Sequence, residues 1–273
     1  MSPTIFLLVL LAALLHAGWN AIVKRGADKF LGTVLVTGSA ALVSALVLPW
    51  LPVPAAQSWP WLAASVLLQS GYYALIAHCY RTTDMSLAYP LMRGCAPILV
   101  AVAGLAFGEH LPAAAWLGVA LVSAGILCMT RGARLRQMRL PSLIAATIAV
   151  YTLVDAHGAR ASGSPVAYTL WLFLLSGLPL PCWALWQRRA QTLAYARAHW
   201  RLGLVGGLGT TASYAIALWA MTRAPVAMIA ALRETSILFA LLISALLLRE
   251  HVPRVRWFAA ALIVAGAVAL RLA

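Results

Sequence analysis

Long apolar stretches alternate with short polar connections along the whole chain. Ten of these stretches approach the length needed to cross bilayer hydrocarbon, about 20 residues at roughly 1.5 Å of rise each. They are Thr4–Val23, Leu31–Trp50, Trp59–Tyr80, Ser86–Phe107, Pro112–Met129, Pro141–His157, Pro165–Gln187, Leu202–Met221, Val226–Leu248 and Pro253–Arg271. The pattern predicts ten transmembrane helices, with the polar stretches Arg131–Leu140 and Arg188–Arg201 as juxtamembrane loops.

A sequence repeat relates the two halves of the chain. Glu109-His110-Leu111-Pro112, followed by Trp116, returns 141 positions later as Glu250-His251-Val252-Pro253, followed by Trp257. The match continues as Ala120, Leu121, Ala124 and Gly125 against Ala261, Leu262, Ala265 and Gly266. We therefore expect two five-helix units, residues 1–130 and 141–273. Repeated membrane chains commonly place their substrate site between the repeats.

Composition favours the membrane as the surroundings of the fold. With 63% hydrophobic residues, 10% charged residues and a mean hydropathy of +0.91, a water-soluble fold would expose far too much apolar surface. The first apolar run lacks a basic segment before Leu7 and continues to Lys24, so we expect a retained helix, not a signal peptide. The four cysteines lie in or beside apolar runs without Cys-x-x-Cys spacing, which predicts packing residues and no metal site.

The net charge of +14 is distributed asymmetrically. The connections are numbered by the helix that precedes them. Fifteen of the 20 Lys and Arg lie on the side of the odd-numbered connections, and Arg160, Arg223 and Arg271 lie on the other side. The remaining two, Arg93 and Arg233, lie inside predicted helices. Such asymmetry indicates membrane topology and not a nucleic-acid surface. The positive-inside rule places the odd connections in the cytoplasm and both termini in the periplasm. Because each half has five helices, the second half is predicted to be inverted relative to the first.

Ten apolar runs in two halves, each with a Glu-His-x-Pro turn before a Trp-containing helix that closes on Ala-Gly, resemble EamA-type transporters of the drug/metabolite transporter superfamily. The resemblance implies a multi-pass carrier of small metabolites in the bacterial inner membrane, with a central cavity lined by both halves. It also implies cytoplasmic termini, opposite to the charge asymmetry. The expected fold class is an all-α integral membrane protein with ten transmembrane helices in two inverted five-helix repeats.

Polar residues inside apolar runs are the candidates for substrate contact, because a charge at mid-membrane costs roughly 2.5–3.5 kcal/mol even on the mild insertion scale. His16 and Asn20 share one face of the first helix with Lys24, and Trp19 lies beside them. Of these residues, His16, Trp19 and Asn20 are predicted to line the cavity. The alternative is a packing seam, with Lys24 extending to the interface.

Two arginines lie at corresponding depths in the two halves. Arg93 follows Tyr89 by one turn between Pro90 and Pro97, and Arg233 adjoins Glu234. We expect these four polar side chains to contact substrate, Arg93 more than Arg233. The alternative for Arg233 and Glu234 is a local charge network.

Further candidates lie in the third, sixth and eighth helices. Tyr151 and Asp155 share a face of the sixth helix, and Asp155 is either the counter-ion of a buried arginine or a substrate contact. Tyr73 and Tyr214 are the aromatic candidates. Glu109 and Glu250 are interpreted as caps of helix starts, and the repeated Ala120/Ala124 and Ala261/Ala265 pairs as close-packing positions between helices or subunits.

The favoured function is a secondary carrier that moves a small anionic or zwitterionic metabolite by alternating access. The alternative is an intramembrane lipid-modifying enzyme, but no His-Glu-x-x-His, Gly-x-Ser-x-Gly or catalytically spaced carboxylate pair is present in the sequence. No nucleotide-binding motif is present either. We therefore expect no enzymatic activity and no cofactor. The expected partners are a small-molecule substrate and the lipid bilayer, with the chain as a monomer or weak dimer.

Overall fold

A computed structural model describes residues 1–25, 28–130, 135–247 and 253–273. Eleven α-helices occupy these ranges, joined by short 3-10 turns and loops. They are α1 Pro3–Arg25, α2 Lys29–Val47, α3 Trp59–Thr82, α4 Met85–Ala106, α5 Ala113–Leu127, α6 Leu135–Ala161, α7 Pro165–Gly177, α8 Pro179–Met221, α9 Val226–Arg233, α10 Ser236–Leu242 and α11 Arg254–Leu272. No strand occurs in the ranges given, which confirms the all-α prediction for them.

Eight helical stretches in the described part of the chain are long and apolar enough to cross a membrane. One of them, Pro165–Met221, is 57 residues long and contains two of the ten apolar runs. The helix α3 is not among the eight, and Gln69, Ser70 and His78 interrupt its apolar sequence. Large apolar side chains such as Leu7, Leu67 and Val205 are exposed on the outer surface, as expected when lipid is the solvent.

Local sequence explains where the helices begin and end. Asp28 caps α2 by accepting a hydrogen bond from the backbone N–H of Leu31 at 2.9 Å. Gly108 after α4 and Gly163 after α6 have φ of 77° and 68°, a left-handed conformation that glycine adopts without strain. The helix α4 continues through Pro90 and Pro97 from Met85 to Ala106.

The prediction of a loop at Arg188–Arg201 is wrong. This segment is helical within α8 except at Arg188 and His199, whose φ/ψ values of −140°/46° and −124°/17° bend the chain. Its composition misled the prediction, because four arginines in a polar segment suggest solvent, yet alanine, leucine and arginine also favour helix. The predicted loop Arg131–Leu140 lies partly outside the described residues, and α6 already includes its last six residues from Leu135.

Helices from the two halves pack against each other throughout the bundle. The helix α8 contacts α1 and α2, α6 contacts α3 and α4, α4 contacts α9, and α5 contacts α11. The main buried cluster accordingly combines side chains of both halves, including Val9, Leu62, Leu172, Leu218 and Ile263. Polar side chains on α3, α4, α6, α8 and α9 therefore meet in the interior.

The contact between α5 and α11 is made by glycines. The backbone oxygen of Gly118 would lie 2.8 Å from a Cβ at Gly266, and the oxygen of Ala259 would lie 2.8 Å from a Cβ at Gly125. The repeated alanines expected to make this contact, Ala120/Ala124 and Ala261/Ala265, are exposed on the outer faces. The helices α5 and α11 therefore pack against each other as expected, but through the faces that carry the glycines and not through those that carry the repeated alanines.

Replacing Gly266 with alanine is expected to lower stability, because the new methyl group would overlap backbone atoms that have no rotamer to change. Overpacking of this kind costs about 1–3 kcal/mol. The measurement is the melting temperature of the detergent-solubilised protein. Ala265→Val is the control, since residue 265 is exposed beside it on α11. Equal melting temperatures for the two variants would contradict the contact.

Candidate functional site

Arg93 is paired with a carboxylate from the other half of the chain. Its Nε lies 2.8 Å from Oε2 of Glu234, and the two side chains are 14% and 7% exposed. Arg93 lies in the middle of α4, whereas Glu234 is the residue that ends α9. Tyr89, one turn before Arg93, interacts electrostatically with both members of the pair. The fold thus neutralises Arg93 with an acid that sequence spacing assigned to Arg233.

Asp155 is the centre of a buried hydrogen-bonded cluster that draws on four helices. Its Oδ2 accepts hydrogen bonds from the Tyr214 hydroxyl at 2.5 Å and from the Gln69 amide at 3.3 Å. Its Oδ1 accepts from the Tyr168 hydroxyl at 3.4 Å. The hypothesis that an arginine is the counter-ion of Asp155 is wrong for the described residues. Two phenols, an amide and the Ser65 hydroxyl surround the carboxylate there, and no ion pair forms.

Arg233 contacts an aromatic ring. Its guanidinium carbon lies 5.0 Å from the ring centre of Tyr214, the phenol that donates to Asp155. Among the side chains that the structure describes, it makes no ion pair with an acid. A cation over an aromatic face gains roughly 0.5–2 kcal/mol, less than a buried charge loses on leaving water. Arg233 is therefore the cation of this site that retains capacity for an anionic ligand.

The polar residues of α1 are satisfied largely within their own helix. The Trp19 indole N–H donates to Nδ1 of His16 at 3.4 Å, and the Asn20 amide donates to the His16 backbone oxygen at 2.7 Å. His16 also lies within electrostatic range of Arg93 and Arg233. His16 thus interacts electrostatically with both arginines, while the Asn20 amide is bonded to the backbone of its own helix. The side chain of Lys24 lies outside the described residues.

Aromatic side chains of α3, α4 and α6 surround the arginines. The rings of Tyr72 and Tyr151 meet edge to face with centres 5.6 Å apart, and both interact electrostatically with Arg93. The side chain of Tyr73, the residue favoured from sequence, lies outside the described residues. The structure therefore brings Tyr89, Arg93, Tyr151, Arg233 and Glu234 together, with Tyr214 and Asp155 adjoining them.

Gln69, Tyr168 and Tyr72 belong to this site but were not chosen from sequence. The signal was present for two of them, since Ser65, Gln69 and Tyr72 step by four and three and share one face of α3. Gln69 also donates to the Ser65 hydroxyl at 3.2 Å. Tyr168 carried no such signal, because it stands in an otherwise apolar run of α7.

A second polar group lies at one end of the bundle. Glu109 Oε1 pairs with Nη2 of Arg160 at 2.7 Å, and its Oε2 accepts from the backbone N–H of Val226 at 2.9 Å. Arg160 also donates through Nε to the backbone oxygen of Met221 at 3.0 Å. Glu109 thus caps α9 of the other half, and not α5, the helix that follows it. Glu250, its repeat counterpart, lies outside the described residues.

Replacing Glu109 with glutamine is expected to lower stability by about 1–2 kcal/mol, because the change removes a charge-assisted cap and an ion pair. Thermal unfolding of the solubilised protein measures the effect. His110→Gln is the control, because His110 is the exposed neighbour of Glu109. If the Glu109→Gln protein were as stable as the His110→Gln protein, the Glu109 cap would contribute nothing to stability.

Comparison with known proteins points to one family. Residues 140–272 match the EamA-like transporter family. The match covers the second half of the chain and supports an EamA-type transporter. A solved structure described only as "Crystal structure of protein" shares the fold, with a TM-score of 0.72 and 19% identity over 100% of this chain and 98% of that one. No curated protein sequence matches the chain.

The resemblance drawn from the repeated motifs is thereby confirmed. The family match and the apolar helices indicate a multi-pass membrane protein of the drug/metabolite transporter type, and they do not favour the enzyme alternative. The site described above draws on α8 and α9 inside the matched residues and on α3 and α4 outside them. The EamA segment alone therefore does not contain the whole site.

Proposed function

We propose that this EamA-type protein is a secondary transporter of a small anionic or zwitterionic metabolite. The observation that carries the proposal is Arg233, an interior guanidinium that lies over the Tyr214 ring and makes no ion pair with any described side chain, since its neighbour Glu234 is paired with Arg93. A carboxylate or phosphate-like group would supply the missing partner through two parallel hydrogen bonds. Arg93, already paired with Glu234, holds the neighbouring wall of the site.

The surroundings of Arg233 support a small polar substrate over a large apolar one. The phenol rings of Tyr72, Tyr89, Tyr151 and Tyr214 present both apolar faces and hydroxyl groups near the two arginines. Glu234 and Asp155 place negative charge close by, which suits the cationic end of a zwitterion. An anion alone would meet Arg233 while leaving the Asp155 cluster intact.

The proposed architecture has ten membrane spans in two inverted halves, working by alternating access in a bacterial inner membrane. The 57-residue stretch Pro165–Met221 supplies two spans, because the bends at Arg188 and His199 separate two apolar runs. The helix α3 supplies another, and its polar residues contact the site. The proposed exposure of the central site to each side in turn would require contacts such as Glu109–Arg160 to separate.

Both termini are expected to lie in the periplasm, since fifteen Lys and Arg lie at the opposite face and three at this one. Arg160, with Glu109, and Arg223 then face the periplasm. Alkaline phosphatase fused after Ala273, which is active outside the cytoplasm, tests this orientation. Fusions within residues 188–201 provide the opposite control. Activity of a cytoplasm-specific reporter at Ala273 would reverse the assignment.

Transport itself is tested with purified protein in liposomes. Candidate carboxylate, amino-acid and phosphate-bearing metabolites are first screened by thermal shift, because a ligand of the folded state raises its melting temperature. Liposomes loaded with a stabilising compound should then show saturable uptake of the labelled compound by exchange. The compound should be recovered chemically unchanged. Stabilisation only by uncharged or cationic compounds would contradict the proposed substrate class.

A further inference from the structure

An apolar groove on the outer wall of the bundle lies apart from the central site. It is formed by Leu31, Leu35 and Leu42 of α2 and by Leu185, Leu193 and Ala196 of α8. None of these residues contributes to the clusters around Arg233 or Asp155. The groove faces the surroundings of the protein, which for an EamA-type chain are the lipids of the membrane.

The groove lies along the bent part of α8. Non-helical torsions at Arg188 and His199 set the intervening segment off from the helix on either side. The hydroxyl of Thr192 donates to the backbone oxygen of Ala184 at 3.2 Å and holds the first bend. Leu193 and Ala196 of this segment therefore face α2 across a gap, and the part of α8 before the bend forms the other wall.

The length of the groove matches an acyl chain. Leu31 and Leu42, which mark its extent along α2, are eleven residues apart. At roughly 1.5 Å per residue this corresponds to about 16 Å, close to half the thickness of bilayer hydrocarbon. One end lies at the first turn of α2, at the predicted interface, and the other lies within the predicted membrane core.

The interfacial end of the groove is positively charged. The Arg188 guanidinium lies 5.9 Å from the ring centre of Phe30, the residue before Leu31. Lys29, Arg189 and Arg197 are exposed on the adjoining turns, and α8 contains no acidic residue. The acid nearest in sequence, Asp28, accepts the hydrogen bond that caps α2.

We propose that this groove binds an anionic phospholipid, with one acyl chain along α2 and the phosphate against Arg188 and the neighbouring basic residues. The apolar wall selects a hydrocarbon chain, and the basic end selects a negatively charged headgroup. This site is independent of the transport proposal, because it shares no residue with the central site.

The test compares phosphatidylglycerol with phosphatidylcholine of the same acyl chains, titrated into delipidated protein and followed by native mass spectrometry. We expect tighter binding of phosphatidylglycerol. Each arginine removed in Arg188→Gln and Arg189→Gln should weaken it about fivefold, as expected for roughly 1 kcal/mol per basic residue near a lipid surface. Ala196→Trp should reduce binding of both lipids by filling the groove.

Matched control variants distinguish a specific lipid site from general attraction between basic residues and anionic lipid. Arg201 is also exposed and basic but stacks on Trp200, with its guanidinium carbon 5.4 Å from the ring centre, so Arg201→Gln should leave binding unchanged. Ala198→Trp places the same bulk at an exposed position of the same segment. Equal affinity for the two lipids would overturn the proposal, as would equal losses in Arg188→Gln and Arg201→Gln. A lipid-free dimer that Ala196→Trp dissociates would assign the groove to a second copy of the chain.

Discussion

Arg233→Lys is expected to weaken substrate binding strongly while leaving the protein folded. Lysine keeps the charge but loses the planar fork that grips a carboxylate or phosphate-like group in two places, and it does not lie flat over Tyr214. Truncating one partner of a buried charged contact costs about 2–5 kcal/mol, which corresponds to a loss of affinity of roughly 30-fold or more. Binding measured by calorimetry on the solubilised protein, with its melting temperature, checks both parts.

A matched control exists ten residues earlier in the chain. The guanidinium carbon of Arg223 lies 4.7 Å from the ring centre of Trp219, so Arg223→Lys makes the same change to an arginine stacked on an aromatic ring, but at an exposed position. This variant should bind substrate normally. Unaltered affinity in a stable Arg233→Gln protein would remove Arg233 from the binding site.

Arg93→Gln is expected to lower stability strongly, because it leaves Glu234 buried without its ion-pair partner. Breaking a buried pair from one side costs about 3–5 kcal/mol. Adding Glu234→Gln should restore much of the loss, since two neutral amides can hydrogen-bond where the ion pair lay. Chemical denaturation of the two single variants and the double variant gives the coupling free energy directly.

The same series distinguishes a structural role for Arg93 from direct recognition. If Arg93 holds the site wall through Glu234, the double variant regains both stability and measurable substrate affinity. Asp155→Asn combined with Arg93→Gln serves as the control, because Asp155 is bonded to Tyr214, Gln69 and Tyr168, so this second change should not rescue. A stable Arg93→Gln protein that has lost all affinity would return Arg93 to the role of principal substrate contact.

The helices were largely predictable because bilayer hydrocarbon imposes one length and one composition on every span. The failure at Arg188–Arg201 has a physical cause, since charge reveals that a segment lies at the membrane surface but not whether it is helical there. The α5–α11 contact was predictable as a pair of helices. Which small residues make it was not, because Ala120 and Gly118 lie on different faces and only packing shows which face is buried.

The sequence allowed the residues of the site to be predicted, but not which of them form ion pairs or hydrogen bonds with each other. Buried polar residues must find partners, so Arg93, Asp155, Arg233 and Glu234 could be recognised in an apolar chain. Their pairing depends on where the end of α9 lies relative to the middle of α4, a tertiary distance with no sequence signal. Proximity in sequence suggested that Glu234 neutralises Arg233, whereas the fold presents it to Arg93.

The glycine contacts between α5 and α11 restrict how the bundle can rearrange. A Cβ at Gly118 would meet the Gly266 oxygen at 3.0 Å, and one at Gly266 would meet the Val122 nitrogen at 2.8 Å, so these backbones already touch. Backbone contacts offer no alternative rotamers, and sliding by one residue would bring a larger side chain into the gap. These two helices are therefore expected to move as one unit, and in the proposed alternating-access cycle the opening toward either side of the membrane would come from the helices around them.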